Sequence, residues 1–174
     1  SSALCAISTL ISKFSHKETL AFLDSLIILY RKIENLTVPT IAVVNGGCLG
    51  GGLEFILSCD FRFGLDTSFY SFPETSIGII PGAGGTQRMT YLVGPSISMK
   101  WIFSAEKYSA SNALNDGVID FILKEEDSEE YLDDFIEKIT RNAPIAIKAA
   151  KQAINTAFID TGFKVERKEY IKAL

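Results

Sequence analysis

The feature that most constrains this chain is a short apolar run that ends abruptly in glycine. Ile41-Ala42-Val43-Val44 is rich in β-branched residues and predicts a strand buried on both faces. Asn45-Gly46-Gly47 reads as a turn, and Gly50-Gly51-Gly52 follows closely. From Leu53 to Cys59 the apolar character returns in the manner of a buried helix, interrupted by Glu54 and Ser58. Strand, glycine loop and helix start thus come in immediate succession. Consecutive glycines cost conformational entropy, so they belong where main chain must approach something closely or take positive φ. A helix start offers unpaired N–H groups and the positive end of the macrodipole. The loop is therefore a candidate anion or oxyanion site, with the Glu54 carboxyl one turn along near the same face.

Spacing excludes the familiar alternatives. Glycines at i, i+2 and i+5 do not occur in this loop, so it is not a dinucleotide fingerprint. No Gly-Lys-Ser/Thr follows, and there is no G-x-S-x-G elbow. A tight turn that merely packs a helix onto a sheet would account for a lone Gly-Gly-Gly. A second segment argues for more. Phe72-Pro73-Glu74 is followed by Ile79-Ile80-Pro81-Gly82-Ala83-Gly84-Gly85-Thr86-Gln87-Arg88. Pro73 fixes its own φ and restricts Phe72, which holds the next carboxyl in one place. Flanked by Phe72 and Ile77, Glu74 is expected in a partly buried loop. Two carboxyls in a semi-apolar pocket resist ionising together, so one becomes a base and the other an acid. Such a pair can activate water and deliver a proton across a C=C bond. The helix-start amides can stabilise the enolate oxygen that forms when water adds β to a thioester.

Taken together, the Ile41–Phe61 stretch, the Pro-Glu downstream of Glu54 and the PGAGGTQR run resemble the enoyl-CoA hydratase/isomerase (crotonase) family. The GGGLE, the Glu-Thr after the proline and the IIPGAGGTQR wording are most similar to the branch containing methylglutaconyl-CoA hydratase. The likeness runs through nearly the whole chain and is weakest at its ends. It implies an α/β, crotonase-like (ClpP/crotonase) fold of repeated β-β-α units with a helical C-terminal region. It also implies a homotrimer or a dimer of trimers. Glu54 and Glu74 take the positions of the hydratase glutamates. Gly51 N–H and the Ser8 position form the oxyanion hole, and Ala6, Ile7, Gly50 and Gly82 border the substrate. The family wording F-C-A-G-A-D-L appears here as Ala3-Leu4-Cys5-Ala6-Ile7-Ser8-Thr9-Leu10. Ile7 replaces a glycine, and a β-branched residue resists positive φ. No metal or redox cofactor is expected, because CoA is part of the acyl-CoA substrate. Retention of both glutamates favours hydration over isomerisation. A non-catalytic or RNA-binding relative is the alternative from another class; the altered Ile7-Ser8-Thr9 motivates it, and Lys13 and Lys17 are the only lysines available for that role.

Composition bounds the rest. The 174 residues, 47% hydrophobic, suffice for one domain with a core, residues 1–174, divided into a sheet core to about 125 and a helical part over 126–174. A net charge of −4 argues against a general nucleic-acid binder. No apolar run is long enough to cross a membrane. Cys5, Cys48 and Cys59 form no disulfide framework, which fits a reducing compartment, and the mitochondrial matrix is expected from the resemblance. The chain opens inside a motif and is expected to be a fragment lacking the family's N-terminal strands, with any targeting segment upstream. Lys172-Ala173-Leu174 does not match a peroxisomal signal.

Along the chain, Lys17–Asn35 predicts a helix over the sheet, with Leu20, Leu23, Ile27, Tyr30 and Ile33 on one face and His16 at its start. Asp60–Gly64 and Ser68–Phe72 alternate as strands whose aromatics either line an acyl pocket or pack the sheet. Thr86 is the expected N-cap of the helix after the second glycine run, with Arg88 as an ion-pair partner. Pro95–Glu106, a short helix from Ser109 to Asn115, a strand over Val118–Leu123 and helices over Asp127–Arg141 and Pro144–Phe158 complete the reading. Lys148 and Lys151 are expected on a solvated helix face, with contact to CoA phosphates as the alternative.

Overall fold

The computed structural model of the chain describes residues 15–156. Helix α1 (His16–Glu34) begins on a capping box, in which the Ser15 hydroxyl accepts from the Glu18 N–H and the Glu18 carboxylate accepts from the Ser15 N–H. It contacts the helix opened by the first glycine segment and the second glycine segment itself. Tyr30 packs edge-on against Phe55, and Leu23 lies against Gly82. Leu20 of the expected inner face is half exposed.

Strands β1 (Ile41–Val44), β3 (Phe61–Leu65) and β6 (Phe121–Leu123) form one parallel sheet in the order β1-β3-β6. Strands β2 (Gly47–Leu49), β4 (Phe69–Ser71) and β5 (Tyr108–Ser109) form a second, with β2 parallel and β5 antiparallel to β4. Each of the first two strand pairs leads into a helix: β1-β2 into α2 (Gly51–Ile56), and β3-β4, through a 3-10 turn (Glu74–Ile77), into α3 (Gly85–Ser104). Helices α4 (Ala110–Asn115), α5 (Ser128–Thr140) and α6 (Pro144–Ile154) follow.

The main core joins Leu53 of α2, Tyr70 of the second sheet and Phe72 just after it, Met89 and Trp101 of α3, and Val118 and Ile119. Trp101 stacks on Tyr108 at 4.1 Å between ring centroids and donates its indole N–H to Asp116 at 2.7 Å. A second cluster forms where α5 presents Leu132 and Phe135 to Phe61, Phe63 and Phe121 of the first sheet. Phe63 stacks on Phe121 at 4.6 Å. Of the two expectations for the strand aromatics, sheet packing holds for these: Phe63, Tyr70 and Phe72 are fully buried, and the Tyr70 hydroxyl is shared with Ser68.

Several expectations change. β1 is not covered on both faces by the described residues, since its burial alternates along the strand and Val43 is 49% exposed. The turn after it is tighter than expected: Gly46 alone carries positive φ, and Gly47 already begins β2. Helix α3 is interrupted at Gly94, whose φ of 80° and ψ of 167° are non-helical, just before Pro95. Thr86 is not its N-cap. Gly84 holds that position with φ 101°, so Thr86 falls inside the first turn. Of the strand expected over Val118–Leu123, only Phe121–Leu123 forms, because the Val118 and Ile119 N–H groups turn back to the Ala113 carbonyl. The expected charged loop after it contains a short 3-10 turn (Glu125–Asp127). Phe158, the expected end of the last helix, lies outside the described residues.

Lys148 is exposed as expected, but Lys151 is buried. Its ammonium donates to Asp60 at 2.6 Å and to the Val38 carbonyl at 3.0 Å. The same Asp60 oxygen accepts from the Thr40 N–H and hydroxyl. α6 is therefore pinned to the chain entering β1.

Candidate active site

The two glycine-bearing motifs meet because β2 and β4 are parallel neighbours in register. Leu49 stands opposite Ser71, and the Gly50 N–H extends the ladder by donating to the Ser71 carbonyl at 2.9 Å. The chain leaving β2 and the chain leaving β4 thus emerge side by side at the carboxyl edge of the pair, where open α/β sheets place their ligands. Gly50 turns the first of these into α2 with φ 51° and ψ −120°, a conformation that favours glycine. Gly51 is the first residue of the helix, and Glu54 lies in its first turn.

Glu54 is buried. One of its carboxyl oxygens, Oε1, accepts from both the Ala83 and the Gly85 N–H at 2.8 Å. The second glycine run therefore closes over the carboxylate of the first. Gly85 must be glycine for this approach, since a Cβ there would fall 2.9 Å from Glu54 Cγ, Glu54 Oε1 and Pro81 Cβ. Burial pushes the Glu54 carboxyl up from its ordinary value, while the Gly85 and Ala83 donors and the Arg88 guanidinium oppose the shift.

Glu74 opens the 3-10 turn after β4 and is also buried. Its Oε2 is enclosed and has no hydrogen-bond partner among the described residues. Burial lifts its carboxyl to about 7, against partial relief from its own backbone N–H, and the negative charge of Glu54 adds to the rise. The charge of Glu54 thus reaches Glu74. Glu54 Oε1 is held by two N–H donors, whereas Glu74 Oε2 has none among the described residues.

Gly82 lies against Leu23 of α1, so close packing of helix and loop accounts for its lack of a side chain. Ser8, Ala6 and Ile7 lie outside the described residues. A cavity of about 540 Å³ sits at the amino end of β1, between residues Thr37–Ile41 and helices α5 and α6, and is lined mostly by aliphatic side chains. None of the expected site residues lines it. Arg88 is the ion-pair partner it was expected to be, and Tyr30 and Glu34 bear on the site without having been singled out for it. The Tyr30 hydroxyl donates to the Gly51 carbonyl at 3.1 Å, and Arg88 pairs with Glu34 while donating to the Ala83 carbonyl at 2.7 Å. No local motif could announce Glu34 as the partner, because it is distant from Arg88 in the chain, and Tyr30 reads only as one more residue of an apolar helix face.

Comparison with known proteins matches this arrangement. A family model described as enoyl-CoA hydratase/isomerase matches residues 11–170. A probable mitochondrial enoyl-CoA hydratase 2 of Arabidopsis thaliana is 39% identical over 92% of this chain and 54% of its own length. The human mitochondrial methylglutaconyl-CoA hydratase is 34% identical over 94% of this chain and 50% of its own. The chain thus spans about half the length of these curated relatives. Among solved structures, an enoyl-CoA hydratase from Bacillus anthracis superposes with a TM-score of 0.86 at 33% identity, covering 91% of this chain and 63% of that one. With the paired β-β-α order, the two buried glutamates and the glycine runs that join them all in place, the chain belongs to the enoyl-CoA hydratase/isomerase family and has its crotonase-like fold.

Proposed function

We propose that the protein adds water across the 2,3 double bond of an enoyl-CoA thioester. The observation that carries this reading is the asymmetry of the two buried acids: Glu54 Oε1 receives two N–H donors, whereas Glu74 Oε2 receives none. Donors favour the ionised form, and burial beside a negative neighbour favours the neutral one. Glu54 is therefore the base and Glu74 the acid at neutral pH. Glu54 takes a proton from water as its oxygen bonds to C3 of the acyl chain. The C2–C3 π electrons move toward the thioester, and the enolate oxygen is met by the Gly51 N–H and by the main-chain donor at the Ser8 position. Glu74 then gives its proton to C2. The product is the 3-hydroxyacyl thioester, and exchange with solvent returns each carboxyl to its starting state. No group beyond the substrate's own CoA enters these steps.

The acyl-CoA class follows from family membership, and fatty-acid or branched-chain amino-acid breakdown is the chemistry that consumes such thioesters. The mitochondrial matrix is the compartment we propose, supported by the mitochondrial relatives. Residues 1–174 are read as part of one enoyl-CoA hydratase/isomerase domain that assembles as a homotrimer or a dimer of trimers. Exposed Ile77, Ile79, Ile80 and Phe103, around the point where the Thr75 hydroxyl donates to the Ile102 carbonyl, support an apolar protein contact there.

The test is hydration of crotonyl-CoA and 3-methylglutaconyl-CoA by the full-length protein. Glu54→Gln and Glu74→Gln are each expected to lower kcat by roughly 10²–10⁴-fold, the range removed with a general acid or base. Undiminished turnover in both variants overturns the assignment, and a shifted double bond without added water identifies an isomerase instead.

A further inference from the structure

We infer that Tyr30, Glu34 and Arg88 form a positioning cluster that holds both glycine segments in register around the Glu54 carboxylate. The inference rests on the hydratase reading for its kinetic consequence and on geometry for its substance. Tyr30 and Glu34 are one turn apart on α1 and so share a face. Tyr30 reaches the first glycine segment, its hydroxyl donating to the Gly51 carbonyl at 3.1 Å. Glu34 reaches the second indirectly, by pairing with Arg88 Nε. Arg88 stands 5.7 Å over the Tyr30 ring, which closes the cluster.

The action of Arg88 on Glu54 goes through one peptide plane. Its Nη1 donates to the Ala83 carbonyl at 2.7 Å, while the N–H groups of Ala83 and Gly85, on either side of that peptide, both point at Glu54 Oε1. Gly84 supplies the left-handed φ of 101° that lets the amides on either side of it converge. A Cβ at Gly84 would lie 2.2 Å from Arg88 Nη1, so the guanidinium occupies the space a side chain would need. Turning this peptide would aim both amides away from Glu54. A guanidinium suits the task because its rigid fork can serve Glu34 and the Ala83 carbonyl in different directions at once. A lysine supplies the charge without the fork.

Arg88 does not touch the reacting atoms; it acts through the loop. The charged and titratable groups around Glu54 are Arg88 from α3, which lowers its titration, and Glu74 from the 3-10 turn and Tyr30 from α1, both raised by its charge, with Glu34 paired to Arg88.

The test uses full-length protein, crotonyl-CoA kinetics across pH and carboxyl NMR of ¹³C-labelled glutamate, with Glu54→Gln to assign the resonance. Arg88→Gln is expected to lower kcat roughly ten- to a hundredfold while KM moves by about twofold or less, the pattern of misplaced chemistry rather than lost binding. The titration midpoint of Glu54 is expected to rise. Arg88→Lys is expected to return that midpoint toward wild type without restoring kcat, and Glu34→Gln to lower kcat in the same sense as Arg88→Gln. A folded Arg88→Gln protein with wild-type kcat and an unmoved Glu54 midpoint overturns the inference. If Arg88→Gln does not fold, wild-type kcat in both Arg88→Lys and Glu34→Gln overturns it. Absence of hydration by the wild-type protein defeats the hydratase reading instead, and the Glu54 midpoint then decides the positioning claim.

Discussion

Two N–H donors on one carboxyl oxygen are what separate Glu54 from Glu74. The sequence predicts one base and one acid without saying which is which; the difference lies in the donors that the Pro81–Gly85 turn offers to Glu54. Glu74 therefore carries a stability consequence with a definite sign. Its carboxyl titrates near 7 in the folded chain against an ordinary value of 4.5. Between those values the folded state binds more protons than the unfolded one, so stability falls as pH rises through the window. Glu74→Gln removes that penalty. It is expected to raise stability at pH 8 by about 1–3 kcal/mol and to give no gain near pH 4.5. Urea unfolding at the two pH values checks this, and an equal effect at both would contradict it. The same substitution stops turnover under the proposed mechanism, so stability and activity move in opposite directions at this residue.

Among the elements, those with a strong local signal were legible. α1 and α5 follow apolar periodicity, and α4 follows its end signals, with Ser109 and Asn112 forming the capping box that starts it. β2 was not legible, because its three residues begin with a glycine that reads as turn. The N-cap of α3 was misplaced because Thr86 is a good capping type, yet a glycine with positive φ starts the helix first. Gly64 shows a further limit. It sits inside β3 because the Tyr70 hydroxyl lies 2.0 Å from where its Cβ would be, a contact between strands that no local pattern reveals. Lys151 is the clearest case of long-range override. On α6 it reads as one face of an amphipathic helix, and only Asp60, far upstream, explains its burial. Lys151→Met leaves Asp60 with the Thr40 donors alone. It is expected to cost about 1–3 kcal/mol, discounted because Asp60 retains some solvent contact. Hydrogen exchange should then speed up across α6 before it does in α3; uniform protection would show that the pin holds little.

For the whole molecule, the candidate site and the aliphatic cavity beside α5 and α6 lie at opposite ends of the β1–β2 passage. Family and fold were readable because three motifs occur in order, and the β-β-α succession confirms what they implied. Assembly was not, since surface apolar residues carry no periodic signal of their own. Ile80 and Phe103 are 66% and 72% exposed, which a folded surface seldom leaves uncovered in number. Ile80→Asp with Phe103→Asp is expected to shift the full-length protein toward monomer in sedimentation analysis, and an unchanged distribution would place the contact elsewhere. Trp101 adds something of practical use. It is the only indole in the chain, fully enclosed and stacked on Tyr108. Its emission should redden when α3 separates from the second sheet, giving an unlabelled optical reporter of unfolding.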